Sequence, residues 1–124
     1  MIFRQPGFEA VLDRLEAADA IGVGTPTLAE ASLVLAGKTG LDPLPIVGRI
    51  VQEFAMAEVP FAAEHWREAS DAFLRYGKGR HPAALNFGDC LTYAVAKLSG
   101  EPLLALGDDF AQTDLPLVDV SSAG

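Results

Sequence analysis

Apolar positions recur at helical spacing in five stretches of the chain. Phe8, Val11, Leu12 and Leu15 stand at i, i+3, i+4 and i+7, the stripe of a helix with one buried face. Thr25 as N-cap and Pro26 at the first helical position open a second helix, expected to end near Gly37. Val47, Ile50, Val51 and Phe54 stripe a third helix, and Ala62, Trp66, Ala69, Phe73 and Tyr76 a fourth. Phe87, Leu91, Ala94, Val95 and Leu98 stripe a fifth, which ends at Gly100. Short apolar runs lie between or after these helices: "AIGVG" (20–24), "AEVPF" (57–61), "PLLAL" (102–106) and "LPLVDV" (115–120). Such runs read as buried parallel strands, apolar on both faces, with the helices as crossovers.

The pattern predicts an α/β class: a three-layer sandwich with a mostly parallel sheet of about four short strands. At 124 residues the chain is expected to form a single domain, 1–124. Half of it is hydrophobic, enough for a core, yet no apolar run reaches the ~18–20 residues of a membrane span. The opening "MIFRQPGFE" has neither the basic start nor the apolar stretch of a secretory leader. Cys90 is the only cysteine, so no internal disulfide forms, and its apolar helical setting predicts a small buried hydrophobe. These features predict a cytoplasmic protein without membrane attachment.

The formal net charge is −8. That argues against retention on nucleic acid by bulk positive charge. It suits either a basic protein partner or a nuclease whose metal ions neutralise clustered carboxylates.

Ligands of open parallel sheets bind beyond the carboxyl ends of the strands, so acids there carry more meaning than acids on helix surfaces. Glu30 is the only charged residue between Asp19 and Lys38. It is read as a carboxylate on a buried helix, where it needs a partner; a dipole interaction at the helix start is the plainer alternative. Asp89 stands three residues after Asn86, so it completes a capping box, holds a metal, or does both. Asp108 and Asp109 follow a predicted strand in "LGDDF", and Asp114 follows in "TD". Taken alone these acids read as turn formers.

Together, the carboxylates at three strand ends suit a hard divalent ion such as Mg²⁺ or Mn²⁺, which prefers oxygen ligands and assists phosphodiester hydrolysis. Other chemistries are poorly supplied. His65 and His81 lack zinc spacing. "GVGTPT" has no phosphate-loop lysine, and no serine sits in a nucleophile elbow. Lys78, Arg80 and His81 form either a solvated loop or a grip on a phosphate backbone. Trp66 and Tyr76 read as core or flank of the fourth helix.

The segment "RYGKGRHPAALNFGDCLTYAVAKLSGEPLLALGDDFAQTDLPLV" (75–118) resembles VapC-type toxins of the PIN-domain family. "TPTLAEASLVL" (25–35) is similar to the family's second conserved block, and "FRQPGFEAVLDRLEAA" to the segment after its first. The resemblance implies an α/β/α sandwich and a metal-dependent endoribonuclease, silenced by a VapB-like antitoxin and forming a homodimer. It implies Glu30, Asp89 and Asp109 as metal-binding and catalytic acids, with Asp108 as a fallback for Asp109. It further implies Thr27, Asn86 and Asp114 in support of the site; with the reading of the residues above, Lys78, Arg80 and His81 are expected to position RNA and Mg²⁺ or Mn²⁺ to be the cofactor.

One departure stands out. The family's first acid lies in an N-terminal "DTS"-like strand, and this chain opens at "MIFRQPG". Asp13 and Asp19, in a surface pattern, do not replace it. Loss of a central strand exposes unpaired ladder groups on its neighbours, more than the ~5–15 kcal/mol stability of a domain tolerates. The expectation is therefore a native start upstream of Met1. The alternative is an impaired module that binds an antitoxin or a toxin subunit without cutting RNA.

Overall fold

The computed structural model describes residues 8–105 and 109–119, with Phe8 described for its backbone only. The elements run α1 (Phe8–Ala17), β1 (Gly22–Gly24), α2 (Thr25–Thr39), α3 (Leu44–Glu53), β2 (Ala57–Val59), α4 (Ala63–Tyr76) and α5 (Phe87–Ser99). All five expected helices are present. The side chain of Phe8, Asp108 and the outer ends of the first and last expected segments lie outside the described residues.

Two of the four apolar runs form the sheet. β1 and β2 pair in parallel, with Gly22, Val23 and Gly24 opposite Ala57, Glu58 and Val59. The other two runs meet at a single parallel bridge, Leu103 to Leu117. There Leu103 N–H donates to Pro116 O at 2.9 Å and Val118 N–H donates to Leu103 O at 2.8 Å. The α/β class holds, and among the described residues the last two runs pair without extending into named strands.

The helix ends follow local chemistry, with two corrections. Gly24, not Thr25, caps α2, and no side chain accepts there; Thr25 is already helical. The helix also passes Gly37 and stops at Gly40, whose φ of 70° is the left-handed C-cap that glycine enters without a Cβ clash. Asp42 Oδ1 accepts from Leu44 N–H at 3.0 Å where α3 begins. At the start of α4 the buried His65 accepts the Ala62 N–H on Nδ1 at 2.9 Å.

The core lies between α4 and α5. Ala72, Leu85, Tyr93 and Ala94 are fully buried, with Ala69, Tyr76, Cys90 and Ala96 around them. Phe110 and Leu115 pin the 109–119 segment onto this cluster. The expected stripes rotate slightly. Trp66 and Phe73 of α4, and Phe87 and Leu98 of α5, stand exposed. Ala69 and Tyr76 of the expected stripe are buried on α4, joined by His65 and Ala72; the two alanines are the small residues that let the helices approach closely. At the other edge α2 reaches α5 through Gly24, where an added Cβ would lie 2.9 Å from Val95 Cγ2. Thr27 Oγ1 and Thr92 Oγ1, 3.3 Å apart, link the same pair of helices.

Candidate active site

The first turn of α5 is built by its own sequence. Asn86 Oδ1 accepts the Asp89 N–H at 2.8 Å, and Asp89 Oδ2 accepts the Asn86 N–H at 3.1 Å. This is a reciprocal capping box, which satisfies two of the free donors of a helix start. Asn86 thus acts on Asp89 directly. Asp89 keeps its second carboxylate oxygen beyond that bond, at the positive end of the helix dipole.

Burial pushes the Asp89 carboxyl above its ordinary value; the hydrogen bond from Asn86 opposes this, and the charge of Asp109 raises it further. The two acids are therefore within electrostatic reach across the gap between α5 and the 109–119 segment. Asp109 itself is exposed. The neighbouring Cys90 thiol is buried as expected. Its pKa is pushed up by burial and then by the Asp89 charge, so it is an inert core group rather than a nucleophile.

Glu30 departs from expectation in one respect and meets it in another. Its position on α2 is exposed, because the middle of that helix buries only Leu35. Glu30 is therefore a solvated carboxylate and needs no buried partner, contrary to expectation. Its carboxylate nevertheless leans onto α5: a Cβ on Gly88 would lie 2.5 Å from Glu30 Oε2. Gly88 is the residue that sequence reasoning missed. Its missing side chain leaves the space that the end of the Glu30 side chain occupies, on the turn that carries Asp89.

Asp114, in the 109–119 segment, meets α5 one and two turns beyond Asp89. It accepts hydrogen bonds from Tyr93 Oη and from Lys97 Nζ at 2.7 Å, with Arg75 Nη2 3.5 Å away. Burial alone would raise its pKa; the bonds from Lys97 and Tyr93 prevail and hold it at about 2. Burial and then the bond to Asp114 push the Tyr93 phenol well up. Asp89, Tyr93 and Lys97 are spaced by four, so they share one face of α5. That spacing was the available signal for this network. Asp114 is thus a tether that clamps the 109–119 segment against α5.

The basic loop is ordered by its own contacts. Arg80 lies over the Phe73 ring at 5.4 Å. His81 meets the Tyr76 ring edge-on at 5.1 Å and accepts the Ala83 N–H on Nδ1 at 3.0 Å. Lys78 is held through its backbone N–H to Leu85 O at 3.0 Å, leaving its side chain exposed. Among the described residues, these contacts of Lys78, Arg80 and His81 do not involve Asp89.

Glu30, Asp89 and Asp109 offer oxygen only, which is the donor chemistry of a hard divalent ion. Among the described residues, however, no three histidine, cysteine, aspartate or glutamate side chains converge closely enough to hold a metal ion. The Glu30 carboxylate rests against Gly88 and the charge of Asp109 acts on Asp89, but the three acids do not close into one cage.

Comparison with known proteins supplies the context. The PIN domain family matches residues 1–115. A VapC ribonuclease of Mycobacterium bovis is 52% identical over 93 residues, covering 75% of this chain and 67% of the relative. A VapC ribonuclease of Rhizobium meliloti is 39% identical, covering 90% of this chain and 89% of its own length. A second Mycobacterium bovis VapC ribonuclease is 35% identical, covering 95% and 90%. These relatives favour the enzyme over the impaired binding module. A family match over almost the whole chain, together with these relatives, establishes that the chain belongs to the PIN-domain family, in its VapC-type ribonuclease branch.

Proposed function

We propose that this chain is the ribonuclease component of a VapBC-type toxin–antitoxin pair, cutting RNA internally with a divalent cation, Mg²⁺ or Mn²⁺. The observation that carries the reading is the first turn of α5. There the end of the Glu30 side chain rests on Gly88, next in the chain to Asp89, and the charge of Asp109 acts on Asp89. Glu30, Asp89 and Asp109 would hold the cation. When bound, it supplies an activated water and stabilises the charge that develops on the phosphodiester.

The chain's own residues do the rest. Asn86 fixes the Asp89 carboxylate through the capping box, leaving one oxygen available. Asp114, through Tyr93 and Lys97, holds the segment that carries Asp109. Thr27 keeps α2 against α5. Lys78, Arg80 and His81 precede the site in sequence and would steer the RNA backbone toward it.

The partner that fits is a VapB-like antitoxin with a basic segment, drawn by the −8 charge. The working form is a homodimer, and the location cytoplasmic; among the described residues no helix is long and apolar enough to cross a membrane. The decisive experiment is cleavage of RNA by the chain with Mg²⁺ or Mn²⁺, with chelator, and by Asp89→Asn. Cleavage that survives both chelator and the substitution would overturn the assignment. Sedimentation with and without a VapB-like protein tests the partner and the dimer.

A further inference from the structure

Phe87 is 79% exposed, the highest exposure of any large apolar side chain among the described residues. Periodicity puts it on the buried stripe of α5 with Leu91 and Ala94, yet it is the first residue of the helix. A helical side chain leans toward the N-terminus and covers the turn before its own. At the first position there is no such turn, so the ring projects past the helix end.

Among the described residues, the two other exposed aromatic rings each carry an arginine. Arg67 lies over Trp66 at 4.7 Å, and Arg80 over Phe73 at 5.4 Å. Phe87 has no ring or cation contact of this kind among the described residues. It lies between Asn86, which fixes Asp89, and Gly88, which seats Glu30. Among the described residues, an aromatic face without such a contact thus lies in the same helical turn as Asp89.

We infer that Phe87 is a stacking platform for a nucleobase of single-stranded RNA next to the phosphodiester held at Asp89. The inference rests on the ribonuclease reading and adds a residue to it. Every base offers a π-face, so stacking gives affinity with little sequence preference. It also offsets the repulsion between an acidic surface and the RNA backbone, which the nearby acids would otherwise impose. Phe87 holds the base and takes no part in bond breaking.

The test is binding and cleavage of a short mixed-sequence single-stranded RNA by the full chain in Mn²⁺. Fluorescence anisotropy gives Kd, and initial rates give KM and kcat. Phe87→Ala and Phe87→Leu are both expected to weaken binding by about 5- to 150-fold, with KM rising and kcat little changed. Phe87→Tyr and Phe87→Trp are expected to bind as the wild type does. Leucine is apolar and cannot stack, so wild-type affinity for Phe87→Leu would overturn the inference. So would unchanged RNA affinity accompanied by loss of a dimer in sedimentation, which would assign the ring to a second copy of the chain. If the wild type cleaves RNA and Phe87→Leu matches it, this inference alone fails. If the wild type neither binds nor cleaves RNA, the ribonuclease reading fails with it.

Discussion

Between α4 and α5, Ala72, Leu85, Tyr93 and Ala94 are sealed from solvent. Across α2 and α3 only Leu35 is buried, and Leu33, Leu41 and Leu44 are 75%, 66% and 69% exposed. An open groove of about 760 Å³ runs between those two helices, lined by Leu28, Val47 and Val51 and reaching Glu58 of β2. The difference locates rigidity. Asp89 and Asn86 sit on the packed half, where tight helix contact holds them. Glu30 comes from the looser half and reaches the site only through the close approach at Gly88. The site is therefore anchored on one side and adjustable on the other.

The largest expected effect is in the packed half. Tyr93→Ala removes a fully buried ring and a donor to Asp114. It should lower unfolding stability by about 3–5 kcal/mol, read by urea denaturation. A loss below about 1 kcal/mol would show that the α4–α5 core is not the rigid half.

Asp89→Asn separates site from scaffold. Asparagine can still accept the Asn86 N–H, and the substitution removes the repulsion from Asp109. Cleavage should fall at least about a hundredfold, since removing a ligand costs more than removing its outer partner, while stability stays level or rises slightly. Parallel losses of stability and activity would make Asp89 a structural cap only.

Gly88→Ala tests the junction of the two halves. The new methyl displaces the Glu30 carboxylate, and Mn²⁺ affinity should fall about 10-fold. Isothermal titration against Mn²⁺ reads it; an unchanged affinity would remove Glu30 from the site.

A smaller effect lies in acid. The Asp114 carboxyl is held below its ordinary value of 3.8, at about 2. A depressed carboxyl contributes stability that is present above the unfolded value and lost as pH falls through the folded one. The wild type should therefore lose stability between about pH 4 and 2, and Asp114→Asn should flatten that part of the profile. An identical acid profile would show that the clamp on α5 does not depend on the charge. Least of all, Leu33→Ser on the loose half should change stability by no more than about 0.5 kcal/mol. A larger loss would mean that α2 is packed more firmly than its exposure suggests.

Much of the site's anchored half was legible in advance. Asn86 followed at three residues by Asp89 is a cap with a local mechanism, and the helix forms it as read. The burial of Cys90 and Tyr76 followed from periodicity. The same periodicity failed for Trp66, Phe73 and Phe87, because a spacing rule places a stripe to within about one residue and ignores helix ends. It failed for Glu30 too, where an uncharged neighbourhood was mistaken for a buried one.

The sequence by itself determined where the helices run, that the chain is α/β, the capping of Asp89 and the resemblance to its family. These depend on contacts within a few residues or on residue order. Tertiary structure alone decided that Gly88 makes room for Glu30, that Asp109 comes within reach of Asp89, and that Asp114 pairs with Tyr93 and Lys97. Each of those joins positions far apart in the chain, and only the packing of α2, α5 and the final segment brings them together. Tertiary structure also decided which apolar residues the core leaves outside. That depends on the closeness of two helices, which no single stretch of sequence encodes.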